Sequence, residues 1–163
     1  MTDFKDISTA TNQNVMTEVE RDEFLSEALV SRLTSQRSDG WPHVAPVWYV
    51  WQDGVFVHSI GAGRRHLRNI AENPLVTECI DVDYRLAGGL AAGAKAVTCF
   101  GRAEIIDDRE YAIAAIEQIL FRYLGPDDGR AYLEPSIAEL DHGRQMIRVT
   151  PVRWVTWDYT KAG

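Results

Sequence analysis

The stretch Asp39-Gly40-Trp41-Pro42-His43-Val44-Ala45-Pro46-Val47-Trp48-Tyr49-Val50-Trp51-Gln52-Asp53-Gly54 decides the fold. An Asp-Gly pair stands at each end, and that pair tolerates the positive φ of a tight hairpin turn. Between the turns, His43 to Trp51 reads as one long strand. Val44, Pro46, Trp48 and Val50 alternate with His43, Ala45, Val47, Tyr49 and Trp51. Both sets carry large apolar groups, so the strand is expected to be central and buried on two sides. Pro46 has no N–H to give, which puts it at a bulge or where the ladder needs no donor.

Strand-like Val30–Thr34 precedes the first turn, and Val55–Ile60 follows the second. Strands joined by hairpin turns pair antiparallel. Upstream, Thr17-Glu18-Val19-Glu20 is a capping box that starts a helix ending before Val30. Residues 1–15 lack periodicity and are expected to form a flexible N-terminal arm, leaving 16–163 as a single domain. Downstream, Gly61-Ala62-Gly63 breaks the strand, and a helix over 64–72 stops at Asn73-Pro74. Val76–Val82 is a strand. The Gly- and Ala-rich residues 84–95 are expected to be a mobile loop. Ala96–Ile106 is another long strand, with Gly101 at a bulge or close approach. Asp107-Asp108 caps a helix to about Tyr123, with Ile113, Ile116, Ile119 and Leu120 on one face. A loop over 125–129, a short helix over 135–140, and two strands over 145–150 and 152–158, split at Pro151, complete the chain. The expected fold is mainly β: a split β-barrel of six to seven antiparallel strands with peripheral helices, since closure removes exposed edges.

The chain has 163 residues, 45% hydrophobic, with net charge −7. That balance argues against nucleic acid or an anionic membrane surface as partner. No apolar run reaches the roughly 18 residues of a membrane span. The start of the chain lacks the apolar core of a signal peptide, so a cytoplasmic location is expected. Cys79 and Cys99 both lie in strand-like runs and are expected to be buried, reduced thiols. The histidines lack metal-ligand spacing, and no metal site is expected. No G-x-S-x-G, phosphate-binding P-loop or G-x-G-x-x-G pattern occurs.

Chemistry concentrates at Gly61-Ala62-Gly63-Arg64-Arg65-His66-Leu67-Arg68-Asn69. Glycines let a backbone approach a ligand closely. A helix N-terminus offers free N–H groups. Arg64 and Arg65 add planar donors suited to phosphate oxygens, and His66 is a third candidate cation. The same residues would also make a plain solvated strand-to-helix turn. The aromatic strand, with Trp48, Tyr49 and Trp51 close together and His43 before them, would line a cofactor slot or simply fill a core or subunit interface.

In order and spacing, these pieces resemble the pyridoxamine-phosphate-oxidase-like split barrels, in particular the flavin and deazaflavin oxidoreductases common in actinobacteria. The matching segments are Asp39–His43, Pro46–Tyr49, Asp53-Gly54, the Gly63–Asn69 turn, Asn73-Pro74, Gly101–Glu104, Arg122–Gly125 and Trp157–Lys161. Together they span about residues 20–161. The resemblance implies a homodimer with a cofactor groove at each subunit interface. A flavin-like ring would lie against Pro46, Val47 and Trp48. The cofactor phosphate would meet Ser59, Gly63, Arg64, Arg65 and His66. Trp157 and Lys161 would approach the site, contributed by the same or the partner subunit. His43 and Tyr49 are substrate-pocket candidates, and no side chain stands out as an obligatory acid or base. The family turn usually reads Ser-Arg-Lys, and here it reads Arg64-Arg65-His66, with His66 at the lysine position. The cofactors this implies are FMN or coenzyme F420, a deazaflavin, used to reduce a small conjugated or aromatic substrate. The alternatives are a carrier of flavin, deazaflavin or haem without turnover, and, less favoured for so short a chain, oxidation of pyridoxamine phosphate.

Overall fold

The structure, a computed structural model, describes residues 14–82, 85–87 and 90–161. Seven strands form one antiparallel sheet. They are β1 (Ser31–Gln36), β2 (Pro42–Val47), β3 (Val50–Gln52), β4 (Val55–Ile60), β5 (Leu75–Asp81), β8 (Lys95–Ile106) and β9 (Gln145–Asp158), in the order β2-β1-β5-β8-β9-β4-β3. The two edge strands, β2 and β3, are consecutive in the chain and joined only by Trp48-Tyr49. The sheet therefore curls until its edges approach each other, and the barrel is split between β2 and β4. The expected fold class is borne out.

Local chemistry sets the corners. Asp53 and Gly54 take φ values of 51° and 76°, so the β3–β4 hairpin closes in two residues with Gln52 opposite Val55. Thr17 and Glu20 form the capping box of α1 (Glu18–Ser26). Gly101 sits at the register shift between β8 and β9, where a Cβ would lie 2.6 Å from Val149 Cγ1. Only glycine lets these two long strands pack there. Inside the barrel, Leu33, Tyr49, Phe56, Ile80, Val97, Ile147 and Val149 are buried. On the other face of β4 and β9, Val57 and Met146 pack against Ala112, Ala115, Ile116 and Ile119 of α3 (Arg109–Ala138). The helix α2 (Arg65–Glu72) closes one end, burying His66, Leu67, Asn69 and Ile70.

Four expectations are corrected. The strand predicted as central, His43–Trp51, is an edge strand broken at Trp48-Tyr49. Its Val44 is 57% exposed, so the second apolar face is surface rather than core. Pro46 is tolerated because β2 has only one hydrogen-bonded neighbour, β1. Within the predicted loop 84–95, β6 (Arg85–Ala87) and β7 (Leu90–Ala92) pair as a ribbon, and Lys95 begins β8; residues 84, 88 and 89 lie outside the described residues. The predicted 125–129 loop is a single kink: Gly125 leaves the helix at φ 80°, and Pro126 restarts it. Pro151 does not split the last strand, because β9 runs through a bulge opposite Phe100 and Gly101.

Of the predicted arm, residues 1–13 lie outside the described residues. Asn14 O accepts from Asp158 N at 2.7 Å, tying the next residue to the end of β9. Cys99 is buried and Cys79 half-buried, both as free thiols. Among the described residues no helix is long and apolar enough to cross a membrane.

Candidate functional site

The split in the barrel is a groove of about 880 Å³. One wall is β2, contributing His43, Ala45, Pro46 and Val47, followed by Trp48. The opposite wall is the end of β4, with Ser59 and Ile60, and then Gly61. Alternation along β4 turns Phe56 and His58 into the barrel and Val57 and Ser59 toward α3, which is why Ser59 reaches the groove. Ile116, Ile119 and Leu120 of α3 supply an apolar side. Because β2 is an edge strand, its outer backbone groups have no ladder partner and face this space.

The basic turn closes one end. Gly63 takes φ 70°, a conformation that a side chain would strain, and it turns the chain from β4 into α2. Arg64 is the N-cap residue and makes no side-chain capping bond. Arg64, Arg65, Arg68 and Arg144 all line the groove, and among the described residues no aspartate or glutamate does. Arg64, Arg65 and Arg68 form no ion pair among the described residues. Arg144 is held in place, donating to Ser59 Oγ at 2.8 Å and to Glu139 Oε2. In a chain of net charge −7, this is a local concentration of positive charge beside a free helix N-terminus, the setting of an anion site.

His66 does not join that charge. It is 3% exposed, and burial, with the fields of His43 and His58, lowers its pKa to about 4. It is a neutral imidazole at neutral pH, so the expectation of a third cation is corrected. Its Nδ1 lies 2.9 Å from Ser35 Oγ, which accepts from Asn69 Nδ2 at 2.9 Å. The His43 ring packs on it with centroids 4.4 Å apart.

Trp48 is 40% exposed and stacks on Tyr123 at 4.7 Å, nearly parallel. Its carbonyl accepts from His58 Nδ1 at 3.0 Å. His58, Glu78 and Ser31 form a fully buried network inside the barrel. His58 Nε2 lies 3.1 Å from Glu78 Oε1, and Ser31 Oγ donates to Glu78 Oε2 at 2.7 Å. Burial alone would lower the pKa of His58, but the charge and hydrogen bond of Glu78, helped by the Trp48 carbonyl, leave it raised. The buried His58–Glu78 pair thus anchors the backbone at the groove wall.

The structure brings together Pro46, Val47, Trp48, Ser59, Gly63, Arg64, Arg65, His66 and His43. Three named residues stand elsewhere. Tyr49, read as a pocket candidate, points into the barrel, fully buried and donating to Leu25 O at 3.1 Å. Trp157 pairs with Ala96 on β8, and Lys161 Nζ donates to Val15 O and Glu20 Oε2. Neither lines the groove of its own chain. Sequence reasoning did not pick Arg68, Ser136 or Arg144. Arg68 was legible, being one helical turn from Arg64 and Arg65. Arg144 carries no local signal.

A seven-stranded split barrel with this basic turn at its split matches one family model, Pyridoxamine 5'-phosphate oxidase, over residues 17–158. The chain belongs to that family. No curated protein matches it. Among solved structures, a conserved hypothetical protein from Mycobacterium tuberculosis is similar at 24% identity and TM-score 0.80, covering 94% of this chain and 91% of that one. An F420 reductase is similar at 23% identity and TM-score 0.57, covering 82% and 94%. A haem storage protein from Vibrio cholerae is similar at 21% identity and TM-score 0.66, covering 86% and 94%. At these identities the likeness is one of fold.

Proposed function

We propose that the groove binds a phosphate-bearing flavin-type cofactor, coenzyme F420 or FMN, and that the protein uses it to reduce a small conjugated or aromatic substrate. The observation that carries this is the cluster of Arg64, Arg65 and Arg68, unpaired among the described residues, in a lining to which no described carboxylate contributes, beside the free edge of β2. Its donor set fits the group. The guanidinium groups of Arg64 and Arg65 and the first N–H groups of α2 suit a phosphate. The unpaired backbone edge of β2 suits the polar rim of a flat ring, and Trp48 and the α3 isoleucines suit its faces. Arg68, which forms no ion pair among the described residues, adds cationic capacity beyond one phosphate, which favours the deazaflavin with its longer anionic tail.

The bound cofactor would supply hydride donation. The protein's part is to hold the ring along β2 and exclude water with Ile116, Ile119 and Leu120. The F420 reductase among the structural relatives is consistent with this. A homodimer completes the proposal. The outer face of the sheet carries a largely apolar depression of about 430 Å³. Leu75 and Val152, which line it, are 54% and 69% exposed. A second copy would cover them and bring Trp157 and Lys161 toward a neighbouring groove.

A second reading, a carrier without turnover, is favoured by one observation. Among the described residues the groove lining contains no carboxylate, lysine, tyrosine or thiol to act as an acid. The two readings separate in one experiment. Protein loaded with reduced cofactor is mixed with a panel of enones, quinones and nitroaromatics, and cofactor reoxidation is followed by absorbance. Substrate-dependent reoxidation is expected. Tight binding with no reoxidation across the panel would establish the carrier.

A further inference from the structure

The buried end of the groove holds a polar chain with an unused end. Asn69 Nδ2 donates to Ser35 Oγ, so the Ser35 oxygen is an acceptor in that bond. The Ser35 hydroxyl hydrogen then needs an acceptor of its own. The other partner within reach is His66 Nδ1 at 2.9 Å. A ring nitrogen that accepts carries no hydrogen, so in the neutral ring the hydrogen sits on Nε2. All three residues are at least nine-tenths buried: Ser35 1%, His66 3% and Asn69 4% exposed. The sequence accounts for the geometry. Ser35 is the last of the inward positions Ser31, Leu33 and Ser35 on β1. His66 and Asn69 are three apart on the buried face of α2.

His66 Nε2 is buried and has no hydrogen-bond partner among the described residues. His66 lines the groove beside His43, whose Nδ1 is also buried and unpartnered. An N–H donor left unpaired in such a place destabilises the fold, and a chain of three fixed residues is a poor arrangement for wasting one.

We propose that Ser35 and Asn69 lock His66 as the neutral tautomer with its hydrogen on Nε2, and that this Nε2–H donates to an uncharged oxygen, hydroxyl or carbonyl, of the molecule bound in the groove. The second half rests on the cofactor reading above. It divides the labour at this end of the groove: Arg64 and Arg65 take the anionic oxygens, and His66 takes a neutral one. A lysine at the same position would contribute a charge. Here a histidine contributes direction without charge. Ser35 and Asn69 are positioning residues that act through the ring.

The test uses the full chain. Ring-nitrogen NMR, with the His66 signals assigned by their loss in His66→Phe, reads the tautomer directly. The wild type is expected to show a hydrogen on Nε2 and a bare Nδ1. Ser35→Ala should give a mixture of tautomers, and Ser35→Thr, which keeps the hydroxyl, should restore the single form. A hydrogen on Nδ1 in the wild type, with the Asn69 amide reversed, would overturn the lock. Titration with FMN and with F420 reads the donor. His66→Phe is expected to weaken the cofactor that binds by about 5- to 10-fold, Ser35→Ala by less, and Ser35→Thr hardly at all. Should His66→Phe not fold, as judged by its melting curve, Ser35→Ala carries the comparison. Unchanged affinity in the His66 and Ser35 variants would show that Nε2 meets only water, and would remove the donor role while leaving the cofactor reading standing. If the wild type binds neither cofactor, that reading falls and the donor role with it, and the NMR still decides the tautomer.

Discussion

Replacing Arg64 and Arg65 together with alanine is expected to cost about 3–6 kcal/mol of cofactor affinity, two to four decades in Kd, at about 1.5–3 kcal/mol for each charged hydrogen bond lost. The melting temperature should hardly move. Both side chains are exposed and bond to nothing among the described residues, while α2 is held by its buried face, Leu67, Asn69 and Ile70. No carboxylate among the described residues of the lining competes for these guanidinium groups, so their charge is available to a ligand. Rising salt should weaken binding to the wild type more than to the variant, because the screened interaction has been removed from the latter. Fluorescence titration of both proteins with each cofactor measures this. Equal affinities would reduce the basic turn to a solvated corner between β4 and α2.

The second large effect lies in the core. Glu78→Ala is expected to destabilise the protein by about 3–5 kcal/mol, because it leaves His58 charged or unpaired in a site with no water access. Replacing His58 and Glu78 together with leucine should recover much of that loss, since an apolar pair avoids the desolvation of both charges. Denaturant unfolding checks both variants. The pH dependence separates the two buried histidines. The pKa of His58 is raised in the fold above an ordinary value of 6.5. Its contribution is therefore complete below 6.5 and is lost as pH rises through the folded value. His66 is depressed to about 4, against the same ordinary value. Its contribution is complete above 6.5 and is lost as pH falls from there toward 4. The acid loss should shrink in His66→Phe, and the alkaline loss should vanish in the double leucine variant.

Much of this was legible in the sequence, and the failures share a physical cause. Turn chemistry is local, so Asp53-Gly54, the Thr17–Glu20 box and the close approach at Gly101 could be read from a few residues. Whether an apolar face is core or surface is not local. Val44 reads as interior, yet stands exposed on an edge strand, because an apolar residue carries no local mark of which face of a strand is covered. Gly125-Pro126 reads as the end of a helix. The glycine does break it, but proline suits the first turn of the next segment, so the chain continues with one kink. Gly129 explains why the two segments pack so closely: a Cβ there would lie 2.6 Å from the Phe121 ring.

The site was half legible. The basic turn and the Pro46–Trp48 strand were visible because each is contiguous. Tyr49 was misplaced although alternation already put it opposite Trp48. Arg144 enters the groove only because β9 pairs with β4, a long-range pairing that no local pattern announces. His66 was read by its type, as a cation, when its burial and the nearby His43 and His58 decide its charge.

The most direct measurement is the absorption spectrum of the protein purified from a host that makes both FMN and coenzyme F420, followed by titration of the stripped protein with each. A deazaflavin or flavin band is expected to co-purify, with a Kd well below about 100 μM, roughly −5.5 kcal/mol, for at least one of the two. A colourless protein that binds neither cofactor at that concentration would contradict the assignment of the groove.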